Sequence, residues 1–300
     1  MLKSIKIKKE KDLEKLINRN VDNEEIIYEV ETIISKVRKN DDSALIKYTK
    51  KFDKVKFTAK DFRVEKDEID FAYSKLDEKL KNAIENAKKN IEKFHERDVN
   101  KSFEIKDGGK HIGQLTRPLN RVGIYIPGGR APLISTVLMA IIPAKIAGVK
   151  EIVMISPPDR NGKINSDILA TAKILGVDEI YKIGGAQGIA ALAYGTKSIE
   201  RVDKIFGPGN AFVQEAKRQV YSIVDIDMVA GPSEILIIAD ESGNESYIAA
   251  DMLSQAEHDP LSMSVLITTS EELAERVKYT LNNMLADLKS KKVASSSIKN

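Results

Sequence analysis

The N-terminal part of the chain has apolar positions with a helical period. These positions recur at three- and four-residue spacing, with charged residues between them, and are Ile26, Ile27, Val30, Ile33, Ile34 and Val37. This spacing predicts an amphipathic helix. Asp41-Asp42-Ser43 offers a cap for a further helix through Tyr48, and residues 67–95 form a second long amphipathic stretch. Apolar residues flanking Asp107-Gly108-Gly109 predict a β-hairpin within residues 99–120.

The pattern changes at Arg121 to short apolar runs that alternate with helical segments. The predicted strands cover residues 122–126, 151–156, 179–183 and 204–206, and the predicted helices cover 133–147, 166–175, an alanine-rich segment ending at Tyr194, and 210–221. Short apolar strands alternating with helices indicate a parallel sheet covered on both faces. We therefore expect residues 121–230 to form a Rossmann-like α/β domain.

Residues 231–300 begin a second alternation. It consists of strands at 234–239 and 264–268 and helices at 246–258 and 271–288, followed by a polar, serine-rich stretch from 289 to 300 without predicted structure. Two strands do not make a stable open sheet alone. We therefore expect 231–300 to pack with the helical segment and hairpin of 23–120 as an incomplete first α/β domain, with residues 1–22 as an N-terminal arm.

Composition narrows the functional classes. The 300 residues include 48 basic and 45 acidic side chains, a net charge of +3, which gives no electrostatic reason to expect a nucleic-acid or membrane partner. The N-terminus lacks an apolar stretch of signal-peptide length, so we expect a cytoplasmic enzyme. The chain has no cysteine, and a metal would therefore need histidine, carboxylate or amide ligands.

Glycine-rich turns stand where predicted strands meet helices. They are Pro127-Gly128-Gly129, Gly184-Gly185, Gly207-Pro208-Gly209 and Gly231-Pro232. Glycine permits close approach of the backbone to a ligand, and a helix N-terminus offers free N–H groups to an anion. None of these turns is a complete dinucleotide fingerprint, and each alone could be a tight corner. Together, at the carboxyl ends of parallel strands, they favour a crevice for a phosphate-bearing cofactor.

A second candidate lies at the end of the predicted helix 246–258. Gln255 and His258 are three residues apart and share one helix face, so both could reach one metal ion. The ordinary alternative is that His258 is only a favourable cation at a helix C-terminus, and glutamine is an uncommon zinc ligand. Ser233 follows a Gly-Pro turn without a nucleophile-elbow context, so it is not expected to be a nucleophile. We expect surface roles for His95 and His111, the other histidines.

Several long segments resemble the signature blocks of the histidinol dehydrogenase family. They are RVGIYIPGGRAPLISTVLMAIIPAKIAGV from Arg121, GGAQGIAALAYGT from Gly184, DKIFGPGNAFVQEAKRQV from Asp203, DMVAGPSEILIIAD from Asp227 and DMLSQAEHDP from Asp251. They occur in the family's order and cover most of residues 121–260. The resemblance implies Rossmann-like parallel sheets in an aldehyde-dehydrogenase-like two-domain architecture with a helical N-terminal segment.

The resemblance also implies chemistry: zinc-dependent oxidation of L-histidinol with two NAD⁺ and water to L-histidine and two NADH, in a cytoplasmic homodimer. By the same resemblance, Tyr125, Gln187 and Asn210 match NAD contacts, and Ser233 matches a substrate contact. Gln255 and His258 match zinc ligands that also hold the substrate. The metal would orient the substrate, and the cofactor would accept two hydrides in succession.

The sequence departs from the family pattern after His258. The family's acid/base pair, an adjacent glutamate and histidine, and its remaining zinc ligands, an aspartate and a histidine, lie further along, whereas this sequence has no histidine after His258. We therefore assign no catalytic residue and expect this chain to be a fragment with no more than trace activity. Three alternatives stay open: a related NAD-dependent dehydrogenase of another amino alcohol or diol, a non-catalytic nucleotide-binding protein, and a purely structural protein.

Overall fold

A computed structural model of the protein describes residues 4–7, 9, 24–128, 133–230, 233–288 and 290–299. The chain divides into two compact units, one formed by Asp22–Val229 and the other by Met1–Val21 with Ala230–Asn300. None of the helices in the described ranges combines the length and apolarity needed to span a membrane.

The larger unit contains a five-stranded parallel sheet, a two-stranded hairpin, eight α-helices and a short 3-10 helix (Ala59–Asp61) among its described residues. Its strands are the hairpin β1 (Phe103–Asp107) and β2 (Lys110–Gln114), then β3 (Arg121–Tyr125), β4 (Glu151–Ser156), β5 (Glu179–Lys182), β6 (Lys204–Phe206) and β7 (Asp225–Ile226). Its α-helices are α1 (Glu24–Asn40), α2 (Asp42–Phe52), α3 (Lys66–Ser74), α4 (Glu78–His95), α5 (Ile134–Ile146), α6 (Ser166–Ile174), α7 (Gly185–Tyr194) and α8 (Ala211–Val220). The sheet order is β5-β4-β3-β6-β7, which is the order of a Rossmann-like domain.

Alternation along the strands gives the sheet two apolar faces. Ile124 and Met154 belong to a core shared with α3, α4, α5 and α6, whereas Tyr125 and Ile155 belong to a core shared with α1, α2, α7 and α8. Successive strand residues point to opposite faces, so a near-continuous apolar strand fills both cores at once. The predicted strands of residues 121–230 are confirmed, and β7 is an additional short edge strand.

The N-terminal helices cover this sheet, which corrects the predicted domain division. The sequence predicted that 23–120 would pack with 231–300, but Asp22–Val229 form one unit in which α1 packs on α7 and α8, and α3 packs on α6. The physical reason is that α7, in which six of ten residues are alanine or glycine, is buried along its length, so a second layer of helices must cover it. The apolar stripe of α1 supplies that cover through Val30, Ile33 and Val37.

Residues 67–95 were predicted as one amphipathic stretch and form two helices. Helix α3 ends at Ser74, and α4 begins after Asp77, whose carboxylate accepts the N–H groups of Lys79 and Leu80 at 3.0 and 3.1 Å. An aspartate in extended conformation that receives two free N–H groups starts a new helix. The predicted hairpin is present as β1 and β2, with every residue exposed.

The smaller unit is a β-α-β arrangement with two further helices. Its strands β8 (Glu234–Ile238) and β9 (Met263–Ile267) are parallel and are joined through α9 (Glu245–Ala256), with α10 (Glu271–Asp287) and α11 (Lys291–Lys299) following. Residues 289–300 were expected to lack regular structure, but 291–299 are helical. The serine-rich segment places Ala294 in the core with Leu273 and Val277, and burial of this small side chain stabilises a helix that propensity alone would not predict.

Arg121 joins the amino ends of three strands. Its guanidinium donates to Glu151 at 2.9 Å and to Glu179 at 2.8 and 2.5 Å, and these residues begin β3, β4 and β5. Burial works to raise the pKa of the Glu179 carboxyl, but the hydrogen bonds and charge of Arg121 outweigh it and hold that pKa below its usual value.

Replacing Arg121 with methionine should lower the free energy of unfolding by about 3 kcal/mol, because the half-buried charge of Glu179 would lose its bidentate partner. Arg63 at 3.5 Å and the Tyr181 hydroxyl at 3.0 Å would remain beside it. Lys51→Met removes an exposed ion pair with Glu29 and should cost less than about 1 kcal/mol. Urea denaturation of both variants measures the difference. Equal losses would show that Arg121 is not a structural anchor.

Candidate functional site

A cavity of about 750 Å³ opens at the carboxyl ends of the parallel strands in the larger unit. It is lined by Pro127 and Gly128 after β3, by residues 157–159 and 163–165 after β4, by the first turns of α7 and α8, and by α1 and α2. Strands β3 and β6 are neighbours whose connections leave in opposite directions along the sheet. Such a switch point is where open parallel sheets bind ligands, and the volume suits a small-molecule site.

Tyr125 ends β3 and forms part of the cavity wall. Its side chain is 4% exposed, and its hydroxyl oxygen accepts the N–H of Gly185 at 3.2 Å. Burial, with a smaller contribution from the negative charge of Asp53, raises the pKa of Tyr125 to about 12, against the opposing effect of the Gly185 hydrogen bond. The phenol therefore stays protonated near neutral pH, and its O–H is available as a donor.

Gln187 lies in the first turn of α7 and is 1% exposed. Its side-chain oxygen Oε1 is buried without a hydrogen-bond partner among the described residues. Gly185, at φ +62°, makes this arrangement possible, because a Cβ at that position would lie 2.8 Å from Oε1. A buried amide oxygen without a partner is costly in an empty site, so this atom is suited to accept a hydrogen bond from a ligand.

Asn210 is the N-cap of α8, and its side-chain oxygen accepts the N–H of Val213 at 3.1 Å. The side-chain oxygen is thus occupied by the helix, and the amide NH₂ is the group that can serve a ligand. The free N–H groups of the first turn lie beside it and favour an anion.

The turn that carries Asn210 is clamped by a buried ion pair. Fully buried Lys217 pairs with Asp227 and donates to the carbonyl of Gly207 at 3.0 Å, while Asp227 accepts the N–H of Gly207 at 2.9 Å. Gly207 has φ +124°, and a Cβ there would lie 2.1 Å from the carbonyl oxygen of Tyr125. The end of β6 therefore presses directly against the end of β3, which brings the Asn210 turn beside Tyr125.

The three predicted NAD contacts therefore meet in one cavity. Tyr125, Gln187 and Asn210 all line it, although the sequence spreads them over β3, α7 and the start of α8. Of the predicted glycine corners, those at Pro127-Gly128, Gly184-Gly185 and Gly207–Gly209 lie at this end of the sheet. Gly129 of the first corner and the whole of Gly231-Pro232 lie outside the described residues. The orphaned Gln187 oxygen and the N-termini of α7 and α8 fit a dinucleotide.

Sequence reasoning missed Asp53, an acidic member of the cavity wall. It directly follows α2, and its oxygen Oδ2 is buried without a partner in the described part of the chain. Burial raises the pKa of Asp53 to about 6. An aspartate after a lysine-rich helix end carries no motif, so no sequence signal could have identified it. Lys217 and Asp227 were missed for the same reason.

The predicted substrate and metal residues lie at one end of the smaller unit. Exposed Ser233 precedes β8, and its carbonyl accepts the N–H of Met263 at the start of β9. Gln255 is in the last turn of α9, and its Nε2 donates to Ser262 at 3.5 Å. The backbone N–H of exposed His258 donates to the carbonyl of Gln255 at 3.2 Å. The helix end and both strand starts therefore share one edge.

Helix α11 and Ser290, the residue before it, brace this edge. Ser297 donates to the carbonyl of Ser262 at 2.8 Å, and Ser290 donates to the carboxylate of Glu257 at 2.5 Å. With Nε2 of Gln255 directed at Ser262, its Oε1 is left for another partner, an orientation assigned from the hydrogen-bond pattern.

The donor set for zinc is incomplete in the described residues. Among them, no group of three or more His, Asp or Glu side chains is arranged to hold a metal ion. Zinc sites usually need three or four protein ligands, and Gln255 with His258 would supply two. These two residues alone do not form a zinc site. His95 and His111 offer no addition, since His95 ends α4 beside Phe94 and His111 pairs with Glu104 on the exposed hairpin.

Asp53→Asn should stabilise the protein in a pH-dependent way. The pKa of Asp53 rises from 3.8 to about 6 on folding, so ionisation opposes folding, and stability falls as pH rises through the window between these values. The variant should gain on the order of 1 kcal/mol at pH 8, after allowance for partial solvent access, and nothing below pH ~3.5. Urea denaturation at both pH values measures this. A gain that is equal at both would exclude Asp53 ionisation as its cause.

The similarity of this chain to known proteins agrees with the site. The sequence profile of the family described as histidinol dehydrogenase matches residues 16–300. Histidinol dehydrogenase of Clostridium acetobutylicum is 50% identical over 280 residues, covering 93% of this chain and 64% of the relative. That of Listeria monocytogenes is 53% identical over 271 residues, covering 90% of this chain and 63% of the relative.

The fold is also similar to that of a solved histidinol dehydrogenase. The crystal structure of histidinol dehydrogenase from Elizabethkingia anophelis matches with a TM-score of 0.88 and 44% identity, covering 97% of this chain and 67% of that one. The present chain thus spans about 64% of the length of the curated relatives it matches. On profile, sequence identity and structure together, the chain belongs to the histidinol dehydrogenase family.

Proposed function

We propose that this chain forms the dinucleotide site, and one part of the substrate site, of an enzyme that converts L-histidinol, two NAD⁺ and water to L-histidine and two NADH. The observation that carries the proposal is the meeting of Tyr125, Gln187 and Asn210 in one cavity at the switch point of the sheet. Family membership supplies the substrate, and the cavity supplies a reason to expect the cofactor here.

The cavity residues have separate tasks in this proposal. Bound NAD⁺ supplies the two-electron oxidant for the alcohol and then for the hydrated aldehyde. Tyr125 offers a protonated hydroxyl, Gln187 offers an unpartnered oxygen, and Asn210 offers amide N–H groups. Because Gly185, Gly207 and the Lys217–Asp227 pair fix the surrounding backbone, these groups are preorganised for the ligand.

The edge formed by Ser233, Gln255 and His258 is proposed as the part of the substrate site that lies in the smaller unit. In the complete enzyme, Gln255 and His258 would hold zinc through Oε1 and an imidazole nitrogen, with further ligands from elsewhere. Ser233, exposed at the start of β8, would hydrogen-bond L-histidinol. This assignment is supported by their shared edge and by the bracing of the Gln255 amide at Ser262.

We also propose that the complete enzyme is a cytoplasmic homodimer. The hairpin β1–β2 is exposed along its whole length and carries Phe103, Ile105 and Ile112, each more than half exposed. An isolated hairpin is marginally stable, and such a cluster of apolar side chains is typical of a surface that another chain covers.

The isolated chain should bind NAD⁺, and Gln187→Ala should weaken binding about tenfold, because the variant loses a buried hydrogen-bond acceptor. Calorimetric titration of the 300-residue chain measures the dissociation constants. Gln114→Ala, on the exposed hairpin, is the matched control and should bind like the wild type. A wild-type chain that binds no dinucleotide would contradict the proposed cofactor site.

Catalysis is tested in a chimera in which this chain replaces the matching region of the Listeria monocytogenes relative. The chimera should form about two NADH per L-histidinol, followed by absorbance at 340 nm. His258→Ala should lower its zinc content as well as its turnover, because an imidazole ligand is lost. His95→Ala, a histidine at the end of α4, should change neither. A folded chimera that binds NAD⁺ but leaves histidinol unoxidised would point to another substrate.

A further inference from the structure

The dinucleotide cavity contains a second buried oxygen without a partner. In the described part of the chain, Asp53 Oδ2 and Gln187 Oε1 both line the cavity wall, and neither receives a hydrogen bond. They come from opposite parts of the sequence, since Asp53 follows α2 and Gln187 lies in α7. Buried polar atoms are nearly always paired, so two orphaned acceptors in one cavity point to a ligand that donates to them.

Thr49 provides an internal comparison. It lies one helical turn before Asp53, and its hydroxyl is also buried and unpartnered among the described residues. Thr49 is fully buried and is not part of the cavity lining, whereas Asp53 is. The backbone N–H of Asp53 is already used by the carbonyl of Thr49 at 2.9 Å, so the helix end is satisfied without the carboxylate. The side chain is therefore free to serve the cavity.

The negative charge of Asp53 restricts which groups of a ligand its side chain can contact. A carboxylate accepts hydrogen bonds and repels phosphate. Glu29 and Asp159 line the same wall, but Glu29 is paired with Lys51 at 3.1 Å. Asp159 is held by its own loop, where it accepts the N–H groups of Asn161 and Lys163. Asp53 is thus the carboxylate left to meet an uncharged donor, such as a hydroxyl or an amino group.

We propose that Asp53 is a further dinucleotide-contact residue, which accepts a hydrogen bond from a neutral donor group of NAD⁺ through Oδ2. Three groups of the cofactor share this chemistry: the adenine amino group, the ribose hydroxyls and the nicotinamide carboxamide. The inference rests on the proposed dinucleotide site and adds to it a residue and the class of group that it selects.

The test compares wild type, Asp53→Ala and Asp53→Asn by calorimetric titration with NAD⁺. Loss of a hydrogen bond to a charged acceptor should weaken binding of NAD⁺ on the order of ten- to a hundred-fold in Asp53→Ala. The loss should be smaller in Asp53→Asn, whose amide oxygen can still accept a hydrogen bond. Two controls match the change. Thr49→Val removes the other orphaned oxygen of the same helix face, and Glu31→Gln removes a negative charge from the exposed surface of α1; both should bind NAD⁺ like the wild type.

Three kinds of analogue identify the donor. Deamino-NAD⁺ lacks the adenine amino group, monodeoxy analogues of NAD⁺ lack each ribose hydroxyl in turn, and the 3-acetylpyridine analogue lacks the carboxamide N–H groups. The wild type should discriminate against one of them relative to NAD⁺, and Asp53→Ala should lose that discrimination. Circular dichroism and the thermal midpoint of each variant establish that it is folded.

The possible failures are distinguishable. A wild-type chain that binds none of these dinucleotides would overturn the proposed function and this inference together. A wild-type chain that binds NAD⁺, with folded Asp53 variants that bind it equally well, would overturn the inference alone. Asp53→Ala that weakens NAD⁺ and every one of these analogues by one common factor would also overturn it, because the analogues together remove each candidate donor in turn.

Discussion

The architecture of the site depends on the contact between the ends of β3 and β6. There the carbonyl of Tyr125 lies so close to Gly207 that no side chain fits, and both polar groups of the Gly207 peptide are held by the Lys217–Asp227 pair. A buried ion pair is weak evidence of stability, since apolar residues of similar volume often serve as well. The role of this pair is to fix a position. It holds the turn that carries Asn210 against the end of the strand that carries Tyr125.

The same constraint explains why the helices of residues 24–95 belong to this unit. The turn at Gly207 can be held against the end of β3 only if the sheet itself is rigid. A parallel sheet is stable only when both of its faces are covered. Helix α7, which is rich in alanine and glycine, lets α1 and α2 pack closely on one side of the sheet, and α3 and α4 complete the other. These covering helices also contribute to the cavity, because α2 ends there and places Asp53 in its wall.

Much of this arrangement was predictable from the sequence, but only where a local pattern carries the information. Strand and helix alternation predicted the sheet, and the family blocks singled out Tyr125, Gln187 and Asn210, which line one cavity. The partner of the N-terminal helices was predicted wrongly, because an amphipathic stripe shows that a helix is buried but not what buries it. Helix α11 was missed because packing of Ala294, and not propensity, holds it. Asp53 was missed because its role arises from burial in the folded chain.

The unpartnered oxygens of the cavity connect stability with binding. A buried acceptor without a donor opposes folding, and for Asp53 the ionised carboxylate adds a desolvation penalty. Replacing it relieves that penalty and at the same time removes the group that a ligand would satisfy. Binding sites commonly retain such unfavourable groups. A dinucleotide that donates to both oxygens would stabilise the folded protein, because it would bind the folded state and not the unfolded one. An unpartnered oxygen in a binding site therefore lowers the free energy of unfolding and at the same time favours ligand binding. At Asp53 both effects can be measured, the first by urea denaturation and the second by titration with NAD⁺.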